Sequence, residues 1–320
     1  MQIRFHVLAA VLAAAMLTAG CTRQQPRIRL GLLVWPPYEM FYLARDLGCY
    51  DGVAVELVDY HTPAEALRAY QNGVVDGVAM TLDFLMQISE REAGHRAILV
   101  IDYSHGGDCV IARPGIAGLA DLHGKTIGLE MSALGQFMLA RTLEFAGLKS
   151  EDVELKFLDI PDHMAAYNSG SVDAVITYEP VRTELLASGG NLVFDSTKIP
   201  NEIADVLFVR DSLIAARGPT LQAIVDGYFA AMAHLAAQPE DAAARCAGRE
   251  GLTPVQFLDA MNLVRMPSRE ENQSLLGGQA PGLVATAERT LEILIRSGQV
   301  SKPLPLFDLV DDHLVRSDDG

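Results

Sequence analysis

Residues 27–42 read RIRLGLLVWPPYEMFY, and the reading of this stretch decides the fold. Residues 28–34 form an apolar run of strand length that stops at Trp35-Pro36-Pro37, and the apolar spacing beyond takes the period of a helix. Two consecutive prolines cannot continue a strand ladder, so the stretch predicts strand, loop, helix, with the loop at the carboxyl edge of a sheet. In an open α/β sheet small ligands sit at that edge. Trp35, the sole tryptophan of the chain, stands there with Tyr38 and Glu39. The pattern returns at residues 125–135, KTIGLEMSALG, where a strand runs into small and acidic residues before a helix.

Working outward, residues 53–60 alternate apolar and polar and predict a second strand. Thr62-Pro63-Ala64-Glu65 is a cap, an N1 proline and a capping box that open a helix over 64–72. Gly73 ends it, and 74–80 predict a third strand. The same order follows residue 125, ending in SVDAVIT at 171–177. Gly73 and Gly170 stand 97 residues apart, as do Asp76 and Asp173, so the chain holds two βαβαβ halves. Further strands at 97–103, 108–113 and 204–210 predict a chain that crosses twice between the halves. The C-terminal third reads as helices packed on the first half. Strand-like runs alternating with helical patterns make the class α/β.

The 320 residues carry 41 acids against 25 bases, a formal net charge of −16, which argues against binding a nucleic-acid backbone. Residues 1–20 read as an export leader: Arg4, an apolar run over 7–17 too short for a good span, and Leu17-Thr18-Ala19-Gly20 before Cys21. This resembles a bacterial lipoprotein signal, with Cys21 as the lipidated residue and 21–26 as a tether, although Thr18 stands where a leucine is usual. An ordinary secretory signal is the alternative. The other cysteines, Cys49, Cys109 and Cys246, are odd in number and fit no metal spacing. Free buried thiols are expected, with Cys49–Cys246 the one candidate pair. No metal or cofactor is expected.

WPPYEMFYLA, the VVDG and SVDAV strand entries, ARPGI followed by ADLHGKTIG, and TYEP together resemble the solute-binding proteins of ABC importers. The nearest branch handles thiamine pyrimidine precursors, taurine, alkanesulfonates and nitrate. The resemblance implies a two-lobed type II periplasmic-binding fold with a double hinge: lobe I over 27–110 plus 207–320, and lobe II over 111–206. It implies an exported monomer, lipid-anchored on the periplasmic side, that hands a small molecule to permease and ATPase subunits. A ligand-sensing module for a membrane signalling protein would share these features. The fungal pyrimidine synthases share the fold, but their cysteine-rich motif is missing here, so no catalytic residue is assigned.

The strand-end loops carry Trp35, Tyr38, Glu39, Thr81, Asp83, Asp102, Tyr103 and Asp108 in the first lobe. In the second they carry Glu130, Ser132, Tyr178 and Glu179. Carboxylates and aromatics without Lys or Arg suit a cationic or amine-bearing solute, such as a thiamine-pyrimidine-like ring that stacks on Trp35. A small anion such as a sulfonate or nitrate is the alternative and calls for N–H or cationic donors. Each residue also has a plain structural reading: Trp35 as core, Glu39 as a first-turn acid, Asp83 as a cap, Tyr178 and Glu179 as hinge residues. His61, His105 and His163 read as surface or turn residues.

Overall fold

The computed structural model describes residues 26–316; the leader, Cys21 and the tether up to residue 25 lie outside the described residues. In chain order the strands are β1 (Ile28–Leu32), β2 (Val55–Asp59), β3 (Gly77–Thr81), β4 (His95–Ser104), β5 (Cys109–Ala112) and β6 (Thr126–Leu129). They continue with β7 (Glu154–Phe157), β8 (Ala174–Thr177), β9 (Asn191–Asp195), β10 (Ala204–Arg210) and β11 (Val264–Arg265). Two sheets result, one of order β11-β4-β10-β3-β1-β2 and one of order β7-β6-β8-β5-β9. Each anchors its own lobe.

The predicted duplication is physical. In the first lobe β1 lies between β2 and β3 in parallel, and in the second β6 lies between β7 and β8 in the same way. The N–H of Arg29 donates to Asp76 Oδ2 at 2.8 Å, and the N–H of Thr126 donates to Asp173 Oδ2 at 3.0 Å. Each aspartate N–H returns the bond to the same residue's carbonyl, at 2.7 and 2.8 Å. The paired glycines adopt left-handed φ, 68° at Gly73 and 75° at Gly170, which ends each preceding helix without the strain a side chain would bring.

Two boundaries move. β10 pairs only with β3 and β4, and β5 only with β8 and β9. The crossings therefore fall at 105–108 and 196–203 rather than within strands at 110/111 and 206/207; an apolar strand does not reveal which sheet it joins. The long helix Asp211–Ala237 carries a kink at Arg217 (φ −137°), just before Pro219.

The C-terminal helix Gly282–Arg296 does not stay on the first lobe. Thr286 Oγ1 donates to the carbonyl of Asn201 in the second crossing at 3.2 Å, and Ile293 packs into the apolar core of the second lobe. Cys49, Cys109 and Cys246 are free thiols.

Candidate functional site

The two prolines fix φ near the helical value, so Pro36–Tyr38 close a 3₁₀ turn in which the N–H of Tyr38 donates to the Trp35 carbonyl at 2.8 Å. That turn aims Trp35 and Tyr38 at the ends of β4 and β10. Trp35 Nε1 donates to Asp102 Oδ2 at 3.1 Å, and the Tyr38 hydroxyl donates to Asp205 Oδ1 at 2.5 Å. Asp102 and Asp205 face each other across the antiparallel β4–β10 ladder. Two carboxylates held in register repel unless a proton or a cation intervenes.

The tryptophan also reaches the first crossing. A Cβ built on Gly107 would stand 2.6 Å from Trp35 Cη2, so the indole lies where only glycine fits. From the other lobe Tyr178 meets the indole edge-on, with centroids 5.9 Å apart at 89°. Such contacts add about 0.5–1.5 kcal/mol beyond area burial. The two crossings are stitched together: the N–H of Gly106 donates to Ser196 Oγ at 2.6 Å, Ser104 Oγ and Ser196 Oγ share a bond at 2.8 Å, and the N–H of Asp108 donates to Ser104 Oγ at 3.0 Å.

Between the lobes lies a cavity of about 30 Å³, lined among others by Trp35, Tyr38, Thr81, Asp108, Tyr178 and Asp205. A smaller extension of about 10 Å³ is lined by Asp108, Glu130, Leu134 and Tyr178. Neither lining includes Lys, Arg or His. Only water-sized occupants fit such a space, so the lobes stand drawn together, and a ring-sized solute enters by parting them.

Burial governs the charge. It pushes Asp83 up to about 6, Asp108 and Glu130 to about 7 and Asp205 to about 8, and it holds Asp102 well above the usual carboxylate range. Tyr38 and Tyr178 are raised by burial as well. Thr81 Oγ1, Asp83 Oδ2 and Asp102 Oδ1 are buried without a hydrogen-bond partner among the described residues. Polar atoms left so are costly unless something else satisfies them.

Other candidates sit elsewhere. Glu39 is buried beneath Arg249, whose Nε donates to it at 3.1 Å, while the same guanidinium lies 3.4 Å from the Tyr42 ring centre and bonds Asp59. Tyr103 lies under Arg265, 4.7 Å from the ring centre; strand alternation turns it away from Asp102. Ser132 caps the helix Ala133–Ala146 by accepting from the N–H of Gly135 at 3.0 Å. Glu179, before a cis proline, accepts from the N–H of Thr183 at 3.1 Å and from Arg182 at 3.2 Å. His163 is neither a surface nor a turn residue: it is fully buried, shares a bond with Thr177 Oγ1 at 3.2 Å, and burial pushes it down to about 4, which keeps it neutral. Asp205 was missed by the sequence reading. Its signal was its place at the start of a crossover strand that matches the one ending in Asp102.

Comparison with known proteins agrees with this architecture. The family model described as NMT1/THI5 like matches residues 35–242. A binding protein of Brucella abortus (strain 2308) is 30% identical over 130 residues, 40% of this chain and 41% of its own length, so the match spans less than half of that relative. A ligand-binding component of an ABC-type import system from Staphylococcus aureus superposes with a TM-score of 0.76 at 14% identity, over 91% of this chain and 98% of the other. The periplasmic aliphatic sulphonate binding protein SsuA from Escherichia coli gives 0.74 at 17%, over 90% and 93%. The desulfurization enzyme DSZB gives 0.66 at 20%, over 90% and 98%. These structural likenesses establish the fold, and the family match covers most of the first lobe's repeat and all of the second: the chain belongs to the NMT1/THI5-like family.

Proposed function

We propose that this chain captures a small solute between its lobes and delivers it to an ABC importer, exported and held at the periplasmic face by a lipid on Cys21. Its partners are then permease and ATPase subunits, with the chain acting as a monomer. The observation that carries the ligand reading is the acid-lined cavity without a Lys, Arg or His. An organic cation or an amine-bearing ring offers N–H donors to Asp108, Glu130 and Asp205, which line the cavity and its extension, and a face to Trp35. A desolvated anion beside ionised carboxyls meets strong repulsion.

The second reading is a small sulfonate-type anion, and the comparisons favour it, since SsuA is named for aliphatic sulphonate. Neutral, protonated acids in the cleft are the form that an anion would tolerate. DSZB makes an enzyme the third reading, but no cysteine lines the cavity, and burial holds the Cys109 thiol well above its ordinary value. A buried neutral thiol is a poor nucleophile.

A thermal-shift panel separates the first two readings, because a ligand that binds only the folded chain raises the melting temperature by mass action. Aminopyrimidines and benzyl ammonium salts should raise it, and alkanesulfonates and nitrate should leave it unchanged. The reverse pattern assigns the site to anions. Product formation by the protein alone would overturn the transport reading, and retention of a membrane kinase or cyclase in a pull-down would favour the sensor.

A further inference from the structure

We propose that Asp102 and Asp205 form a proton-sharing pair: it holds one proton while the cleft is closed on itself and releases that proton when an organic cation takes its place. The inference rests on the cationic reading of the cleft and adds to it a mechanism of selection. A solute is then chosen by whether its charge can substitute for the proton.

The geometry carries the argument. The two aspartates are direct partners in the β4–β10 register, which sets their side chains on one face of the sheet with Cβ atoms about 5 Å apart. Each receives one aromatic donor, Trp35 Nε1 on Asp102 and the Tyr38 hydroxyl on Asp205. Those two bonds leave Asp102 Oδ1 buried with no donor among the described residues. Between two carboxyl groups the only hydrogen available is one that they carry themselves. One proton satisfies the orphaned oxygen and removes the repulsion, because a protonated carboxyl donates and an ionised one accepts.

No neighbouring element neutralises the pair in another way. Asp83 faces it from the helix Leu82–Arg91, Asp108 from the first crossing and Tyr228 from the helix Asp211–Ala237. Tyr178 faces it from the second lobe, and Glu130 of that lobe adds its charge to Tyr178 and Asp83. All are acids or phenols. Burial sets the direction of titration, upward for both members of the pair. When a cation enters, the O–H bond of the protonated member breaks, the proton passes to solvent buffer and the electron pair stays on the carboxylate that now faces the cation. Net charge in the cleft is unchanged, so the exchange avoids isolating a charge in a dry site.

The test uses infrared difference spectroscopy and calorimetry on the full chain, with benzyltrimethylammonium and benzylammonium, both cationic at neutral pH, as probes and methanesulfonate as the anion control. Near neutral pH the ligand-free protein should show a carboxylic-acid C=O band that weakens in both Asp102→Asn and Asp205→Asn. Either asparagine keeps an oxygen for its aromatic donor, so the fold should survive. Saturation with a cation should bleach the band and release one proton, read from binding heats in buffers of different ionisation enthalpy. Affinity should tighten by as much as about tenfold per pH unit as pH rises through neutrality, and the dependence should flatten in the asparagine variants. A cation that binds without proton release overturns the exchange and leaves the cationic reading standing. Binding of methanesulfonate alone, or of none of the three probes, overturns both.

Discussion

The central strands of the two lobes correspond at an offset of 97, β1 to β6 and β3 to β8, and the comparison separates scaffold from site. Gly31 matches Gly128, Val75 matches Val172 and Asp76 matches Asp173, and each pair does the same job in its own sheet. At the strand ends the match fails. Leu33 stands opposite Glu130, Trp35 opposite Ser132 and Thr81 opposite Tyr178. Except for Ser132, which turns to cap a helix, these residues all line the cavity or its extension. A sheet tolerates few alternatives at its buried crossing points, whereas a loop need only leave and rejoin the scaffold, so divergence collects in the loops.

The first lobe's site residues are aromatics that hold carboxyls; the second lobe offers a single acid and a tyrosine. Trp35→Ala breaks this asymmetry most directly. It removes the contact with Tyr178 and the donor on Asp102, and is expected to cost roughly 2–4 kcal/mol of binding free energy, as a central aromatic anchor does. Calorimetric titration with the ligand found by thermal shift checks it. Ser132→Ala at the matching position should leave affinity unchanged and lower stability by about 1 kcal/mol through the lost cap.

The scaffold itself can be tested where the halves differ by one atom group. Gly77 and Ala174 are equivalent, but a Cβ on Gly77 would stand 2.8 Å from Val209 Cγ1 and 2.9 Å from Leu30 Cδ2, both on fully buried side chains. Gly77→Ala should therefore destabilise by about 1–3 kcal/mol in urea unfolding. Ala174→Gly in the second lobe should cost only about 0.5–1 kcal/mol.

Asp76→Ala and Asp173→Ala sharpen the comparison from the other side. Each removes one carboxylate-to-N–H bond at the same point of its half, worth about 1 kcal/mol, and Asp76→Ala also removes a part-exposed ion pair with Arg29 Nε at 3.4 Å, so Arg29→Ala serves as its control; a difference that survives the control would show that the repeat no longer shares its energetics.

Glu130→Gln addresses the pH dependence of the second lobe's one cavity-lining acid. Burial raises Glu130 from 4.5 to about 7, so the folded protein binds its proton more tightly than the unfolded chain does. Its contribution to stability is complete below about pH 4.5 and is lost as pH rises through 7. Melting temperature should fall across that window in the wild type and fall less in the variant.

Several features were legible in the sequence. The prolines after Val34 marked the sheet edge, the offset of 97 marked the duplication, and the strand-end loops carry Trp35, Tyr38, Asp108, Glu130 and Tyr178, which the fold brings to one cavity and its extension. Glu39 was misplaced because its partner, Arg249, is 210 residues away. Tyr103 and Asp102 are neighbours in sequence, and only the register of β4 decided which of them meets Trp35 and Asp205.

The sequence by itself determined the elements, their repetition and the ring-and-acid character of the strand-end loops, because periodicity, caps and prolines act over a few residues. Only the tertiary structure decided that Asp205 meets Asp102, that Ser132 serves its own helix, and that the last long helix bridges both lobes. Those outcomes depend on which strands and helices come together across more than a hundred residues, and on which polar atoms are thereby left in the dry space between the lobes.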